Sequence, residues 1–262
     1  MTYKVAFLDI DGTLLKPDDH TYCSTTEDAI SQLQRQGIEV FFATGRPLHD
    51  NRDLMEQFQV SSYIGYNGSY AIYKNEPIWN QPLPSDVINR FLKIATDHRH
   101  ELAFYTHEKN YFTSPDSPAT EIFSNTFQLK QNAPFQQDII HNVLGTTIVD
   151  IGSHHPSLYE IDSEIHLSPV PVEGDANCYD VIRTQVNKGT AIEHILNQLG
   201  ISKKEAIAFG DGLNDIEMLQ TVGESFAMGN AHPELFAHAK HRTTSVYESG
   251  IFNGLKQLGL VE

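Results

Sequence analysis

Lys4-Val5-Ala6-Phe7-Leu8-Asp9-Ile10-Asp11-Gly12-Thr13 is the stretch on which the fold turns. Its first five residues are almost wholly apolar and β-prone, the pattern of a strand covered on both faces. Gly12 permits a tight turn directly afterwards. Asp9 and Asp11 are one residue apart, so both can face one pocket at the strand's carboxyl end, where open α/β sheets bind ligands. Neighbouring carboxylates repel unless a cation or a shared proton intervenes, so the pair points to a hard metal ion such as Mg²⁺. A plain Asp-Gly turn would be written with the same letters, and the rest of the chain has to decide between the two.

Outward from that turn, Ser24-x-x-Glu27 reads as a capping box opening a helix that buries Ala29, Ile30 and Leu33 and stops near Gly37. Ile38 to Ala43 is a second strand, ending in Thr44-Gly45-Arg46-Pro47. Strand, helix, strand, helix is the order of a parallel sheet with right-handed crossovers. Tyr63 to Tyr66 is a third strand, and Asn67-Gly68 signals a hairpin turn before an apolar run through Tyr73. The same style resumes near Lys188, where Asn187-Lys188-Gly189-Thr190 opens a helix carrying Ala191, Ile192, Ile195, Leu196 and Leu199 on one face. Glu205 to Gly210 is again a strand, running into Asp211-Gly212-Leu213-Asn214-Asp215.

Between Gln81 and Gln185 the texture changes: Ser85 reads as the cap of a helix burying Val87, Ile88, Phe91 and Leu92, and several strand-like runs with irregular polar stretches follow. The expected architecture is therefore α/β: a doubly wound, mostly parallel, Rossmann-like core from residues 1–80 and 186–262, with an inserted α+β domain over 81–185.

Composition narrows the partners. Among 262 residues, 18 Lys and Arg face 34 Asp and Glu, a formal net charge of -16. Such a chain repels nucleic acid and anionic membrane. A phosphorylated metabolite would need a local cationic site. Cys23 and Cys178, with no C-x-x-C spacing, read as free thiols of a reducing compartment. A core strand at the N-terminus leaves no room for a signal peptide, and no apolar stretch approaches membrane-spanning length. The expectation is a cytoplasmic protein, monomer or homodimer.

Asp9 with Asp11, Thr44, Lys188, and Asp211 with Asn214 and Asp215 all stand at expected strand ends or helix starts. In a parallel sheet these can converge on one cleft. Together they supply carboxylates, a hydroxyl, an ammonium and an amide, the inventory that phosphoryl transfer needs. Oxygen ligands favour Mg²⁺ over Zn²⁺. Singly, Thr44 and Asn214 could be helix caps and Lys188 a solvated residue, although a cation at a helix N-terminus opposes the dipole. The remaining histidines, His154-His155 among them, read as surface residues. Tyr63, Tyr66, Tyr70 and Tyr73 read as sheet packing.

In order, Asp9-Ile10-Asp11-Gly12-Thr13, Thr44-Gly45-Arg46, Lys188-Gly189 and Gly210-Asp211-Gly212-Leu213-Asn214-Asp215 resemble the successive motifs of the haloacid dehalogenase-like (HAD) hydrolases. The insertion after Asn67-Gly68 resembles that of the Cof-type phosphatases, with a C2 cap of the B form. The resemblance implies that Asp9 attacks phosphorus to give an aspartyl-phosphate, and that Asp11 acts as general acid and then general base. It implies Mg²⁺ held by Asp9, Asp11 through its backbone carbonyl, and Asp211, with Asp215 supporting the metal shell or orienting Lys188. Asp9, Ile10, Thr44, Gly45, Lys188 and Asn214 would surround the phosphoryl group, and Arg46 would contact substrate. The cap would exclude water and set specificity.

The function this implies is a Mg²⁺-dependent phosphomonoesterase acting on a small phosphorylated metabolite, with a sugar phosphate first in order. Nucleotide or pyridoxal phosphates, and a phosphomutase, are alternatives at the same site. From other classes come a phospho-accepting receiver, usually uncapped and about half this length, and a non-catalytic phosphate-binding module.

Overall fold

The computed structural model describes residues 2–170, 172 and 177–262. They fall into two compact units, one of Met1–Gly45, Asp53–Trp79 and Asn187–Glu262, the other of Arg46–Arg52 and Asn80–Val186. In chain order the elements run β1 (Val5–Leu8), α1 (Ser24–Arg35), β2 (Glu39–Ala43), α2 (Arg52–Gln57), β3 (Ser62–Gly65), β4 (Tyr70–Tyr73) and β5 (Glu76–Asn80). Next come α3 (Ser85–His98), β6 (Glu101–Tyr105), β7 (Asn110–Phe112), α4 (Pro118–Thr126), β8 (Asn132–Pro134), β9 (Gly145–Asp150), β10 (Ile165–Val170) and β11 (Cys178–Arg183). The chain closes with α5 (Lys188–Leu199), β12 (Ala206–Gly210), α6 (Ile216–Thr221), β13 (Glu224–Ala227), β14 (His241–Arg242) and α7 (Gly250–Gln257).

The first unit is built on a sheet of order β14-β13-β12-β1-β2-β3-β4-β5. From β14 to β3 every pairing is parallel, and β3 and β4 form an antiparallel hairpin. β1 sits centrally, flanked by β2 and β12, so the chain winds outward in one direction before the insertion and in the other after it. That makes the carboxyl end of β1 a topological switch point. All four residues of β1 are buried, as a doubly covered strand requires. On one face Val5 and Phe7 pack with Ile192, Ile195 and Leu196 of α5 and Met218 and Leu219 of α6. On the other, α7 backs onto the stacked rings of Phe209 and Phe226.

Helix ends follow local chemistry with two departures from the sequence expectation. α5 has the expected start: the Asn187 side chain accepts from the Thr190 amide while Thr190 returns a bond to the Asn187 backbone. Its end carries Gly200 in the left-handed conformation. α1, however, is capped by Cys23, not Ser24, and has no side-chain cap bond. Ser85 does not cap α3 either; Pro84 holds that place, and the Ser85 hydroxyl lies 2.7 Å from His141 Nδ1.

The second unit is a six-stranded sheet, β10-β11-β9-β6-β7-β8, antiparallel except for the β7–β8 pair. Alternation along β6 sends Leu102 and Phe104 to the face covered by Val87, Ile88, Phe91 and Ala95 of α3. Ala103 faces the other way, with Phe112, Val149, Cys178 and α4's Phe123. The view of the histidines as surface groups fails at His100, which is buried and bonded to Tyr159 Oη at 3.0 Å and His154 Nδ1 at 2.9 Å. Among the described residues no helix is long and apolar enough to cross a membrane.

The β3–β4 turn is an unusual piece of backbone. Tyr66, Asn67 and Gly68 all have positive φ, at 53°, 52° and 99°. A Cβ on Gly68 would collide with the Asn187 carbonyl at the start of α5, so only glycine admits both the conformation and the approach. Gly68→Ala should therefore cost about 2–4 kcal/mol, read from urea unfolding. A loss below about 0.5 kcal/mol, the range of an ordinary surface change, would contradict this close approach.

Candidate functional site

Four chain segments of the first unit deliver the site. β1 hands Asp9 to the sheet edge, β2 delivers Thr44, β12 delivers Asp211, and the first turn of α5 carries Lys188. The loop after β1 is compact because the Ile10 carbonyl accepts from the amides of Thr13, Leu14 and Leu15, and the Gly12 amide donates to Leu15. Gly12, at φ 81°, lies so close to the Asp211 carboxylate that a Cβ would overlap it. Thr13 Oγ1 donates to Asp211 Oδ1 at 3.2 Å, joining the two loops again.

Lys188 is 0% exposed and donates to Asp9 Oδ1 and to Asp215 Oδ1, each at 2.6 Å. The other oxygen of Asp215 accepts the backbone amides of Asp211 and Gly212, both at 3.0 Å. One buried carboxylate thus fixes the lysine and the loop carrying Asp211 together. Carboxylate oxygens of Asp9, Asp211 and Asp215 come within 4.8 Å of one another, a cluster able to hold a divalent metal ion. Hard oxygen donors of this kind suit Mg²⁺.

Three carboxylates and one ammonium leave the cluster with excess negative charge. Burial, then the charge of Asp215, raises the Asp9 carboxyl well above the usual carboxylate range, against the pull of Lys188. The same two causes push Asp211 up to about 7. For Lys188, burial acts downward, but the carboxylates of Asp215 and Asp9 outweigh it and raise the ammonium above its ordinary value. The proton therefore stays on the lysine, and the surplus charge calls for a cation or a proton on a carboxylate.

The expected residues are not all in one place. Asp9, Lys188, Asp211 and Asp215 meet in the buried cluster. The Asp11 side chain is exposed and outside it, with its backbone bridged to Leu15. Thr44 is buried and its amide donates to Ile64, while Gly45 and Asn214 are exposed. Ile10 is buried. Arg46 belongs to the second unit.

Two asparagines join the site without any signal in the motifs. Asn67 Oδ1 accepts from Asn214 Nδ2 at 3.0 Å. Asn230 Nδ2 donates to the Gly12 carbonyl at 2.8 Å and approaches Asp211 Oδ2 at 3.5 Å, while its Oδ1 accepts from the Val246 amide. In the sequence Asn67 carries only its turn signal, and Asn230 follows Gly229 with no pattern around it.

The raised Asp211 carboxyl makes a stability prediction. In chelator, the folded group holds its proton up to about pH 7, whereas the unfolded one releases it near 3.8. Between those values the folded state binds more protons, so this contribution to stability falls as pH rises and is flat above about 7. Urea midpoints at pH 5 and pH 8 should show a larger loss on alkalinisation in the native chain than in Asp211→Asn. Mg²⁺ should restore stability at pH 8 in the native chain alone, because bound metal takes the place of the proton. Equal pH slopes in the two proteins would remove the argument.

Comparison with known proteins agrees with this arrangement. A model of the haloacid dehalogenase-like hydrolases matches residues 6–255. The protein YkrA of Bacillus subtilis (strain 168) is 33% identical over 267 residues, spanning 100% of each chain. The HMP-PP phosphatase of Escherichia coli O6:H1 is 30% identical over 252 residues, 91% of this chain and 88% of that one. The 5-amino-6-(5-phospho-D-ribitylamino)uracil phosphatase YitU of Bacillus subtilis (strain 168) is 26% identical over 258 residues, 95% of each. With a carboxylate cluster at the switch point of a parallel sheet and likeness along nearly its whole length, the chain belongs to the haloacid dehalogenase-like hydrolases, as a phosphatase of the Cof type.

Proposed function

We propose that the chain hydrolyses a small phosphorylated metabolite through an aspartyl-phosphate, with Asp9 as nucleophile. The observation that carries this is the Asp9 carboxylate at the end of β1, 2.6 Å from a fully buried Lys188 ammonium. In the first step an Asp9 oxygen bonds to phosphorus as the ester oxygen leaves. Asp11, two residues along the same loop and exposed, gives that oxygen a proton. In the second step Asp11 takes a proton from water, whose oxygen attacks phosphorus and frees Asp9 and inorganic phosphate.

The Ile10 and Gly45 amides, the Thr44 hydroxyl, the Lys188 ammonium and the Asn214 amide hold the phosphoryl oxygens. These donors favour the charge that builds on the group in the transition state. Asp215 keeps Lys188 aimed at Asp9 and braces the Asp211 loop. Asp9, Asp211 and the Asp11 carbonyl would hold Mg²⁺, which when bound would supply positive charge to the phosphoryl group. Residues 81–185 serve as the cap, and Arg46 as a substrate contact.

On substrate, the relatives favour a phosphate carried by a ring-bearing metabolite over the simple sugar phosphate expected from the sequence. YitU acts on a uracil bearing a phosphorylated ribityl chain, and a second relative on HMP-PP. A nucleotide-like or pyrimidine phosphate is therefore the reading to test first.

Phosphate release from p-nitrophenyl phosphate should require Mg²⁺, stop in chelator, and fall at least about 10³-fold in Asp9→Asn. Turnover that survives this substitution would exclude the nucleophile assignment. In a panel of esters, pyrimidine-bearing phosphates should give kcat/KM values at least about tenfold above hexose phosphates. The reverse order would return the sugar reading.

A further inference from the structure

Asn67 is legible in the sequence only as a turn residue, yet its side chain lies among groups assigned to phosphate binding. Its Oδ1 accepts from Asn214 Nδ2 at 3.0 Å, across a sequence separation of 147. A Cβ placed on Gly45 would meet the Asn67 amide at 3.0–3.3 Å, so that amide lies against the backbone that follows Thr44. The Asn67 backbone amide donates to the Thr44 carbonyl at 3.1 Å. Trp79 Nε1 donates to the Gly68 carbonyl at 2.8 Å, holding the same turn from outside. Gly68 in turn touches the backbone that leads into Lys188.

The backbone conformation has a cost. Tyr66 and Asn67 are consecutive non-glycine residues with positive φ, and an aromatic residue there is an outlier. Such conformations persist only where surrounding contacts hold them, and they gather at functional sites. Positive φ at Asn67 and Gly68 is what an Asn-Gly hairpin turn uses; the positive φ of Tyr66 before them is the part that a plain reversal does not need.

We infer that Asn67 is a positioning residue for the phosphoryl group, acting through Asn214. An asparagine side chain can present either its oxygen or its NH₂ to a ligand. Because Asn67 Oδ1 accepts a hydrogen bond, Asn214 must turn its NH₂ to that side. One N–H is then spent on Asn67 and the other is free for a phosphoryl oxygen. Without the acceptor, Asn214 can flip and offer its own oxygen, which repels phosphate. The left-handed backbone of Asn67 brings its side chain up to Gly45 and Asn214 together. This inference rests on the proposed role of Asn214 in phosphate binding.

The test is a double-mutant cycle of Asn67→Gly and Asn214→Ala, with p-nitrophenyl phosphate as substrate and inorganic phosphate as competitive inhibitor. Glycine keeps the positive φ, so the first change removes the side chain alone. Asn67→Gly should lower kcat/KM about tenfold and weaken phosphate inhibition by a similar factor, the size expected when a single charge-assisted hydrogen bond is removed. The double variant should match Asn214→Ala within about twofold, because residues acting through one another are not additive.

Side-chain amide NMR provides a second reading. The Asn214 NH₂ pair, assigned by its loss in Asn214→Ala, should shift when phosphate binds the native chain and shift much less in Asn67→Gly. Additive losses, or an Asn67→Gly protein with native kinetics and native phosphate shifts, overturn the inference while leaving Asn214 in place. Native turnover in Asn214→Ala removes the role of Asn214 itself. Absence of Mg²⁺-dependent turnover in the native chain would fail the phosphatase reading at an earlier point.

Discussion

The buried ammonium of Lys188 between Asp9 and Asp215 is the contact on which the site depends. Taking a lysine out of water costs several kcal/mol, and only close, well-directed partners offset it. Here they come from the end of β1 and from the turn before α6, while the lysine itself starts α5. Three segments far apart in sequence are thereby locked at one point. The arrangement also explains why a cation can sit at a helix N-terminus, against the local dipole: two carboxylates within hydrogen-bonding distance more than compensate.

That solution leaves its own imbalance. Asp9 and Asp211 are both raised by burial and by the charge of Asp215, so the cluster favours acquiring positive charge. A divalent ion satisfies the demand by balancing three carboxylates and one ammonium, so a phosphoryl group meets no surplus negative charge there. The net charge of -16 and an anionic substrate are compatible for this reason: salt screens the repulsion of surface charges beyond about 10 Å, while the buried charges act at contact distance.

Much of this is legible in the sequence because it is encoded locally. The apolar runs before Asp9, Thr44 and Asp211 have the length and β-branched or aromatic content of covered strands, and the ends of neighbouring parallel strands share an edge of the sheet. Asn187-Lys188-Gly189-Thr190 announces the start of a helix, and α5 begins there, with a reciprocal Asn187–Thr190 cap that the structure adds. The failures are also local in origin. Ser24 and Ser85 look like caps, but Cys23 and Pro84 take those places, since a hydroxyl near a helix start can satisfy itself elsewhere. Asn67 and Asn230 escape a reading of the sequence because what distinguishes them is a partner more than a hundred residues away, and no periodicity or turn rule reports that. His100 is hidden for a related reason: its partners, Tyr159 and His154, are brought to it by a different part of the chain.

The central place of β1 has a consequence for how the molecule is made. Val5 pairs with Glu39 on one side and with Ala206 on the other, so β1, made before the insertion, waits for β12, made after it, before its second edge is satisfied. Until then a fully apolar strand exposes an unpaired border, the kind of edge that invites association with other chains. The sheet of the second unit, by contrast, draws all its strands from one uninterrupted stretch, 101–183, and can assemble while the ribosome is still producing α5. Order of emergence thus favours the insertion as the earlier body to form, with closure of the catalytic sheet as the late, long-range and therefore slower event.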